Sequence, residues 1–225
     1  MSLMRSFARR IGKKLSNTKK SLLANCLPKC TPDIKNPLPS RNQYSSIILE
    51  IGFGMGEHFI HQASNQPEKF FLGIEPYLNG VANILAWKQN LSLKNIKIWP
   101  DDADLLIKHL PSNSFDIIYI LFPDPWPKKK QIKRRFLNLQ RLSILSNILK
   151  PQGKIYFVSD DKSYARQVEC LIDKIETLSN ITQDSCLLKE QHYIKTRYHL
   201  KSLDKGINPE FLTIVKNDSK FKTNF

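Results

Sequence analysis

The sequence predicts an α/β fold: a mostly parallel sheet of seven strands with helices on both faces. Two observations lead to this prediction. From residue 47 onward, short apolar runs typical of strands alternate with longer amphipathic stretches typical of helices. The first apolar run leads directly into a glycine-rich turn, Gly52-Phe53-Gly54-Met55-Gly56, and a helical pattern follows it.

The elements follow in chain order from these patterns. Short apolar runs predict the first three strands at 47–50, 70–75 and 96–99, with amphipathic helices near 57–63 and at 78–90 between them. A short helix at 104–109 precedes a fourth, fully buried strand at 115–121. A helix at 136–150 is closed by Pro151 and Gly153, and a fifth strand follows at 154–159. After a helix at 164–178, two strands remain, near 187–192 and at 211–216.

The positive charge is concentrated in two places. The 225-residue chain has a formal net charge of +15, of which residues 1–46 contribute +9 with ten basic side chains and one acid. Residues 47–225 contribute the other +6, which equals the six basic residues of the acid-free segment 128–135. Clustered cations of this kind favour a polyanionic partner, such as nucleic acid or an anionic membrane surface.

The first 46 residues differ in character from the rest. They lack a sustained apolar face, which predicts a basic arm over 1–46, partly flexible, and a single α/β domain over 47–225. A mitochondrial transit peptide is an alternative interpretation of the arm. The longest apolar stretches, such as Ile117–Phe122, are far too short to cross a bilayer, so we expect a soluble, cytoplasmic protein with no membrane partner. The four scattered cysteines predict free thiols and no metal site.

The glycine-rich turn is the first candidate site. Gly52, Gly54 and Gly56 allow backbone N–H groups to approach a ligand closely at the start of a helix. Glu75 lies 23 residues after Gly52, at the tip of the second strand, where a carboxylate accepts hydrogen bonds from ribose hydroxyls. This pattern indicates an adenosine-containing cofactor. It does not by itself separate NAD from S-adenosylmethionine.

Two further acids favour S-adenosylmethionine. Glu50 ends the first strand and Asp102 lies just past the third, where an adenine edge is expected. Carboxylates around the pocket suit a sulfonium with an amino-acid tail, whereas they would repel the pyrophosphate of NAD. Asp101 is adjacent to Asp102, and either could contact the adenine.

The loop after the fourth strand, Phe122-Pro123-Asp124-Pro125-Trp126-Pro127-Lys128, lies where open α/β sheets bind ligands. Three prolines restrict φ and stiffen it, so Asp124 and Trp126 can be held at a pocket rim with little ordering cost. The basic residues that follow place phosphate-binding cations beside that rim.

Further motifs extend over nearly the whole chain. They are Arg5-Ser6-Phe7-Ala8-Arg9-Arg10, Leu49–Gly56, Gly73-Ile74-Glu75, Asp102-Ala103, Phe122–Lys128 with Lys133-Arg134-Arg135, and Ser159-Asp160. In these segments the chain resembles the bacterial tRNA (guanine-N7-)-methyltransferase family. The proline-rich loop followed by a basic run is the specific element, since most methyltransferases share the glycine loop.

The resemblance implies a Rossmann-like class I methyltransferase that uses S-adenosylmethionine to methylate N7 of a guanine in tRNA, in the variable loop at tRNA position 46. We expect no metal, and the sequence leaves monomer and homodimer open. By resemblance, Asp124 is the catalytic residue. The cofactor-binding residues would be Glu50, Gly52, Gly54, Gly56, Glu75, Asp102 and Asp124.

The substrate residues are also carried over from the family. Lys128 and Asp160 would contact the substrate, and the tRNA backbone would be bound by Lys130, Lys133, Arg134 and Arg135. The family's carboxy-terminal Thr-Lys-Phe-Glu resembles Thr196-Arg197-Tyr198-His199 here. His199 lacks the negative charge of the family's glutamate, whereas Tyr198 keeps a stacking surface.

Two other functions compete with this one. An NAD-dependent oxidoreductase would need a histidine or lysine at a hydride site, but the candidate histidines look like helix-face or strand-face residues; these are His58, His61, His109 and His192. A noncatalytic RNA-binding module would explain the charge but would leave Glu50, Glu75 and Asp102 without a role.

Overall fold

The computed structural model describes residues 10, 12, 14–40, 42–181 and 193–218. The chain divides into two compact units, Met1–Leu110 and Pro111–Phe225. The predicted fold class, a seven-stranded and mostly parallel sheet with helices, is confirmed. None of the helices in the described ranges combines the length and apolar character that a membrane span requires.

In its described residues, the first unit contains three strands and four α-helices. They are α1 (Asn17–Asn25), α2 (Leu27–Cys30), β1 (Ser46–Ile51), α3 (Glu57–Asn65), β2 (Lys69–Ile74), α4 (Leu78–Asn90) and β3 (Ile96–Trp99). The strands are parallel in the order β3-β2-β1, with Ile48 opposite Phe71 and Phe71 opposite Ile96. Because all three run the same way, their carboxyl ends lie at one edge of this sheet. The predicted helix at 104–109 is instead two short 3-10 turns, Ala103–Leu105 and Ile107–His109.

Part of the predicted arm is helical, although its sequence predicts no helix. The Ser16 side chain caps α1 by accepting the Lys19 N–H, and α1 contacts α4. The buried Cys30 ends α2 beside β3, where Lys97 Nζ donates to the Lys29 carbonyl at 2.9 Å. No residue of α1 is fully buried. The helix therefore lacks the buried apolar stripe that usually reveals a helix in a sequence. The domain boundary at 46/47 stays a prediction.

The part of the second unit that the structure describes contains four strands and three α-helices. They are β4 (Phe115–Leu121), α5 (Leu139–Ile148), β5 (Leu149–Ser159), α6 (Lys162–Ile172), β6 (Leu178–Asn180), α7 (Arg197–Asp204) and β7 (Glu210–Lys216). Their order is β4-β5-β7-β6, with β4 and β5 parallel and β7 antiparallel to both of its neighbours.

Two helices in this unit end earlier than the sequence predicts. The helix predicted to end at 150 ends at Ile148, and β5 starts at once, passing Pro151 with a register shift between Phe115 and Ile117 of β4. The helix predicted to reach 178 ends at Ile172, so Leu178 begins β6. The predicted strand at 187–192 lies outside the described residues.

Candidate active site

The glycine-rich turn joins β1 to α3 through backbone conformations that favour glycine. Gly52, Gly54 and Gly56 have φ angles of 77°, 59° and 87°. A Cβ on Gly80 of α4 would overlap the Gly54 carbonyl oxygen, so that helix packs directly on the turn. A Cβ on Gly52 would meet no atom within 4 Å, so the backbone there faces open space. That open side fits the close approach of a cofactor.

Glu75 fixes this turn from the end of β2. Its Oε2 accepts the Gly54 N–H at 2.6 Å and its Oε1 accepts the Tyr77 N–H at 2.8 Å, although Glu75 is almost fully buried. An ionised carboxylate has about four acceptor positions, which is more than these two N–H groups use. The acceptor set and geometry therefore fit the ribose of the predicted cofactor.

The two aspartates after β3 differ in their partners. Arg10 pairs with Asp101 at 3.3 Å, and Asp101 Oδ1 also accepts the Asp102 N–H. Asp102 Oδ1 accepts the Asp104 N–H at 3.0 Å and so caps the first 3-10 turn. Asp101 thus pairs with a cation, whereas Asp102 shapes the backbone that follows β3.

Glu50 is paired with His58, which was predicted to be an ordinary helix-face residue. Glu50 and His58 are 3% and 1% exposed, and His58 Nδ1 lies 2.8 Å from Glu50 Oε2. The signal that could have identified His58 is its spacing of four residues from Gln62, which is itself four residues from Gln66. That spacing places His58 and Gln62 on one face of α3, with Gln66 at its C-cap.

In the second unit, the proline-rich loop leaves β4 with two residues in the left-handed region. Phe122 and Trp126 have φ angles of 52° and 43°, a conformation that bulky side chains seldom adopt and that surrounding contacts must hold. Arg135 supplies one such contact, since its Nε donates to the Pro125 carbonyl at 2.8 Å.

Arg135 was predicted to bind the tRNA backbone, but its side chain lies inside the protein. Its side chain is 2% exposed, and its guanidinium lies 4.7 Å from the ring centre of Tyr164. The other hydrogen-bond partners of the guanidinium lie just after β5 and in α6, and they are Asp161, Ser163 and Gln167. Its donors are thus committed to the protein, which leaves little for a phosphate.

The remaining cations of the basic run are arranged differently. Lys128, Lys130 and Lys133 are exposed, and Arg134 is half-buried with its guanidinium 5.0 Å from the centre of the Trp126 ring. Asp124 lies exposed on the loop, yet surrounding protein displaces part of its hydration and raises the pKa of its carboxyl. The loop therefore presents one acid and several cations to solvent.

The segment Thr196–His199 forms the start of α7, and two of its residues have structural roles. Thr196 caps the helix by accepting the His199 N–H. His199 is buried among Phe122, Tyr193 and Phe211, with its Nδ1 2.9 Å from the Tyr193 hydroxyl. Burial, and secondarily the charge of Lys195, lower the pKa of His199.

Arg197 and Tyr198 remain exposed, and α7 brings Tyr198 to the loop. The Tyr198 ring stacks near Phe122, with centroids 6.4 Å apart and an interplanar angle of 24°. Asp160, directly after β5, lies with its Oδ2 3.3 Å from Ser202 Oγ of the same helix. The structure thus gathers Phe122, Tyr198 and Asp160 around α7. Within the described ranges, no group of three or more His, Cys, Asp or Glu side chains could hold a metal ion.

Comparison with known proteins gives two kinds of match. A family model described as "Putative methyltransferase" matches residues 44–209. A bifunctional methyltransferase of Rickettsia conorii is 42% identical over 214 residues, covering 95% of this chain and 40% of that protein. The chain therefore spans well under half the length of such relatives.

A second relative matches along its length. It is a tRNA (guanine-N(7)-)-methyltransferase of Agrobacterium fabrum, 36% identical over 219 residues, with 93% of this chain and 94% of that protein covered. Among solved structures, the 16S rRNA methyltransferase KamB has a TM-score of 0.53 at 12% identity, covering 79% of this chain and 91% of that one. This last match supports the fold alone.

Substitution of each arginine distinguishes the structural role of Arg135 from that of Arg134. We expect Arg135→Met to lower the free energy of unfolding by about 3 kcal/mol, because it leaves buried acceptors without their donors. Arg134→Met, the matched control, should cost about 1 kcal/mol or less. Urea unfolding of both variants measures the difference, and equal small losses would contradict the structural role of Arg135.

The lowered pKa of His199 predicts a loss of stability in acid. Below the ordinary value of 6.5 the unfolded state binds a proton that the folded state resists, so stability falls as the pH drops toward the folded pKa. Above that window the histidine is neutral in both states and contributes nothing. The free energy of unfolding of His199→Gln should therefore change less between about pH 7.5 and about pH 5.5 than that of the unsubstituted chain. His109→Gln, at an exposed histidine, should not differ from the unsubstituted chain.

Proposed function

Because the chain belongs to the tRNA (guanine-N7-)-methyltransferase family, we propose that it transfers a methyl group from S-adenosylmethionine to N7 of a guanine in tRNA. The structural observation that carries the proposal is the bonding of Glu75 to a glycine turn whose Gly52 faces open space. We place the target guanine in the variable loop, as the sequence resemblance implies.

The first unit supplies the cofactor residues in this proposal. S-adenosylmethionine, when bound, provides a methyl group made electrophilic by the attached sulfonium. Glu75 accepts hydrogen bonds from the ribose hydroxyls, and Asp102 accepts from the adenine amino group. Glu50 binds the ammonium group of the amino-acid tail. The backbone of Gly52, Gly54 and Gly56 forms the wall of the pocket.

Asp124 stabilises the positive charge that develops on the purine and does not act as a general base. Guanine N7 has a free lone pair, so no proton has to be removed before it attacks and no general base is required. As the bond to the methyl carbon forms, positive charge moves onto the purine. A carboxylate held on a loop stiffened by three prolines stabilises that charge with little reorganisation.

The second unit supplies the tRNA contacts. Tyr198 presents an exposed ring on which a base can stack, while Lys128, Asp160 and Arg197 contact polar groups of the substrate. Lys130, Lys133 and Arg134 bind backbone phosphates. Thr196 and His199 shape α7, and Arg135 holds the catalytic loop, so these three serve the site indirectly.

The competing functions are less well supported. A hydride-transferring enzyme would place the pyrophosphate of NAD among Glu50, Glu75 and Asp102, where like charges repel it. A noncatalytic RNA-binding module would give no reason for burying Glu50 and Glu75 beside an open glycine turn. Membership of a methyltransferase family also favours the transfer reaction.

Replacement of Asp124 tests the proposed reaction. The chain should form 7-methylguanine in tRNA transcripts supplied with S-adenosylmethionine, detected by mass spectrometry of nucleosides. We expect Asp124→Asn to lower kcat about 100-fold and to leave the Kd for tRNA within about threefold, because only charge stabilisation is removed. Asp116→Asn, which breaks a partly exposed ion pair with Lys150, is the matched control. Equal losses in kcat and tRNA affinity would contradict the role of Asp124.

Salt dependence tests the phosphate contacts. The double substitution Lys130→Gln with Lys133→Gln should weaken tRNA binding. It should also make the negative slope of log K against log salt shallower by about 0.7 to 0.9 for each phosphate that is no longer neutralised. Filter binding between about 50 and 200 mM salt measures the slope. Replacing two exposed lysines elsewhere in the same unit, Lys174 and Lys205, should leave the slope unchanged. The same slope in all three proteins would remove Lys130 and Lys133 from the interface.

A further inference from the structure

A chain of side-chain hydrogen bonds connects Glu50 at the carboxyl end of β1 with Lys69 at the start of β2. Glu50 Oε2 lies 2.8 Å from His58 Nδ1, and His58 Nε2 lies 3.0 Å from Gln62 Nε2. Gln62 Oε1 accepts from Gln66 Nε2 at 2.5 Å, and Gln66 Oε1 accepts from Lys69 Nζ at 2.5 Å. Every member except Lys69 is at most 5% exposed.

The lysine fixes the direction of every bond in this chain. An ammonium group only donates, so Gln66 must turn its carbonyl oxygen to Lys69 and its amide NH2 to Gln62. Gln62 then accepts with its oxygen and donates with its nitrogen to His58 Nε2. The imidazole proton must therefore lie on Nδ1, from which it is donated to Glu50.

The other two protonation states of His58 are incompatible with Lys69 as a hydrogen-bond donor at the end of the chain. A proton on Nε2 would require Gln62 to reverse its amide and offer its oxygen to the histidine. Gln62 would then turn its NH2 toward Gln66, and Gln66 would have to reverse as well, which places its NH2 against the Lys69 ammonium. Two donors would then face each other: the buried Gln66 amide would lose its acceptor, and the half-buried Lys69 ammonium would lose its protein partner. The conflict arises equally for the Nε2–H tautomer and for the imidazolium.

We propose that His58 is a positioning residue: held as the neutral Nδ1–H tautomer by Lys69 through Gln62 and Gln66, it orients the Glu50 carboxylate for the ammonium group of S-adenosylmethionine. His58 engages Oε2 and the ammonium binds Oε1. A neutral donor orients the carboxylate without cancelling its charge, whereas an arginine or lysine partner would weaken its attraction for a cation. This inference rests on the proposed function, because it takes Glu50 as a cofactor ligand.

The tautomer can be observed without any cofactor. Long-range ¹H–¹⁵N correlation spectra of the full chain, labelled at histidine, distinguish a protonated from an unprotonated ring nitrogen, and His58→Asn identifies the His58 signals. We expect Nδ1 protonated and Nε2 bare near pH 7.5. Lys69→Met removes the donor that sets the direction and should populate Nε2–H. Lys97→Met is the matched control, because Lys97 bonds to the Lys29 carbonyl outside the chain of bonds.

The cofactor role is measured by calorimetric titration with S-adenosylmethionine. His58→Ala should raise the Kd about tenfold, as expected for removing one hydrogen bond to a charged group. His58→Asn, whose amide can place an N–H close to the position of Nδ1, should stay within about threefold of the unsubstituted chain. His61→Ala, on the same helix outside the chain of bonds, should have no effect. Thermal melts check that each variant folds.

The outcomes separate this inference from the proposed function. An Nε2–H or doubly protonated His58, or a tautomer unchanged by Lys69→Met, would overturn the directional chain even in a protein that binds the cofactor. Equal Kd values for His58→Ala and the unsubstituted chain would overturn the positioning role. If the unsubstituted chain binds no S-adenosylmethionine, the proposed function fails together with the cofactor role of Glu50.

Discussion

The bonding of one buried carboxylate to two backbone N–H groups organises the first unit. Three glycines with left-handed φ give the turn after β1 its shape, but glycine alone leaves a turn free to adopt many others. Glu75 removes that freedom by binding Gly54 and Tyr77 from the neighbouring strand, and Gly80 lets α4 close over the turn. The parallel register of β1 and β2 puts the carboxylate within reach, so the shape of the turn is a consequence of strand pairing.

In the second unit, a buried cation holds a loop in place, as the buried carboxylate of Glu75 does for the turn in the first unit. The loop after β4 contains two non-glycine residues in the left-handed region, at a cost of about 1–3 kcal/mol each. Arg135 binds the Pro125 carbonyl within that loop and is itself held by α6 and by Asp161, just after β5. Its hydrogen bonds and its stacking on Tyr164 offset the cost of burying a guanidinium. A cation inside a basic motif thus stabilises the loop that carries Asp124.

The sequence predicted the parts of the fold that local patterns encode. Apolar runs with clear ends located β3 and β4, and the residues at strand ends located Glu50 and Glu75. It failed for α1 and α7, whose short sequences lack long apolar faces, and at β5, where Pro151 lies within a strand and not after a helix. The family resemblance is confirmed by relatives that match along their length. Spacing places Gln62 beside His58, but it could not reveal Glu50 as the other partner of His58, nor the partners of Arg135, because those contacts depend on side chains brought together by folding.

The histidine that departs from the family motif shows how such a contact changes a residue's role. His199 points its ring into an aromatic cluster with Phe122, Tyr193 and Phe211, a buried site with a lowered pKa where a positive charge is disfavoured. A glutamate there would also have to shed its hydration, so the aromatic surroundings suit a neutral ring. The carboxylate beside this helix is that of Asp160, directly after β5 and within hydrogen-bonding distance of Ser202. The carboxylate near α7 therefore comes from the residue after β5, while the helix contributes packing and the exposed ring of Tyr198.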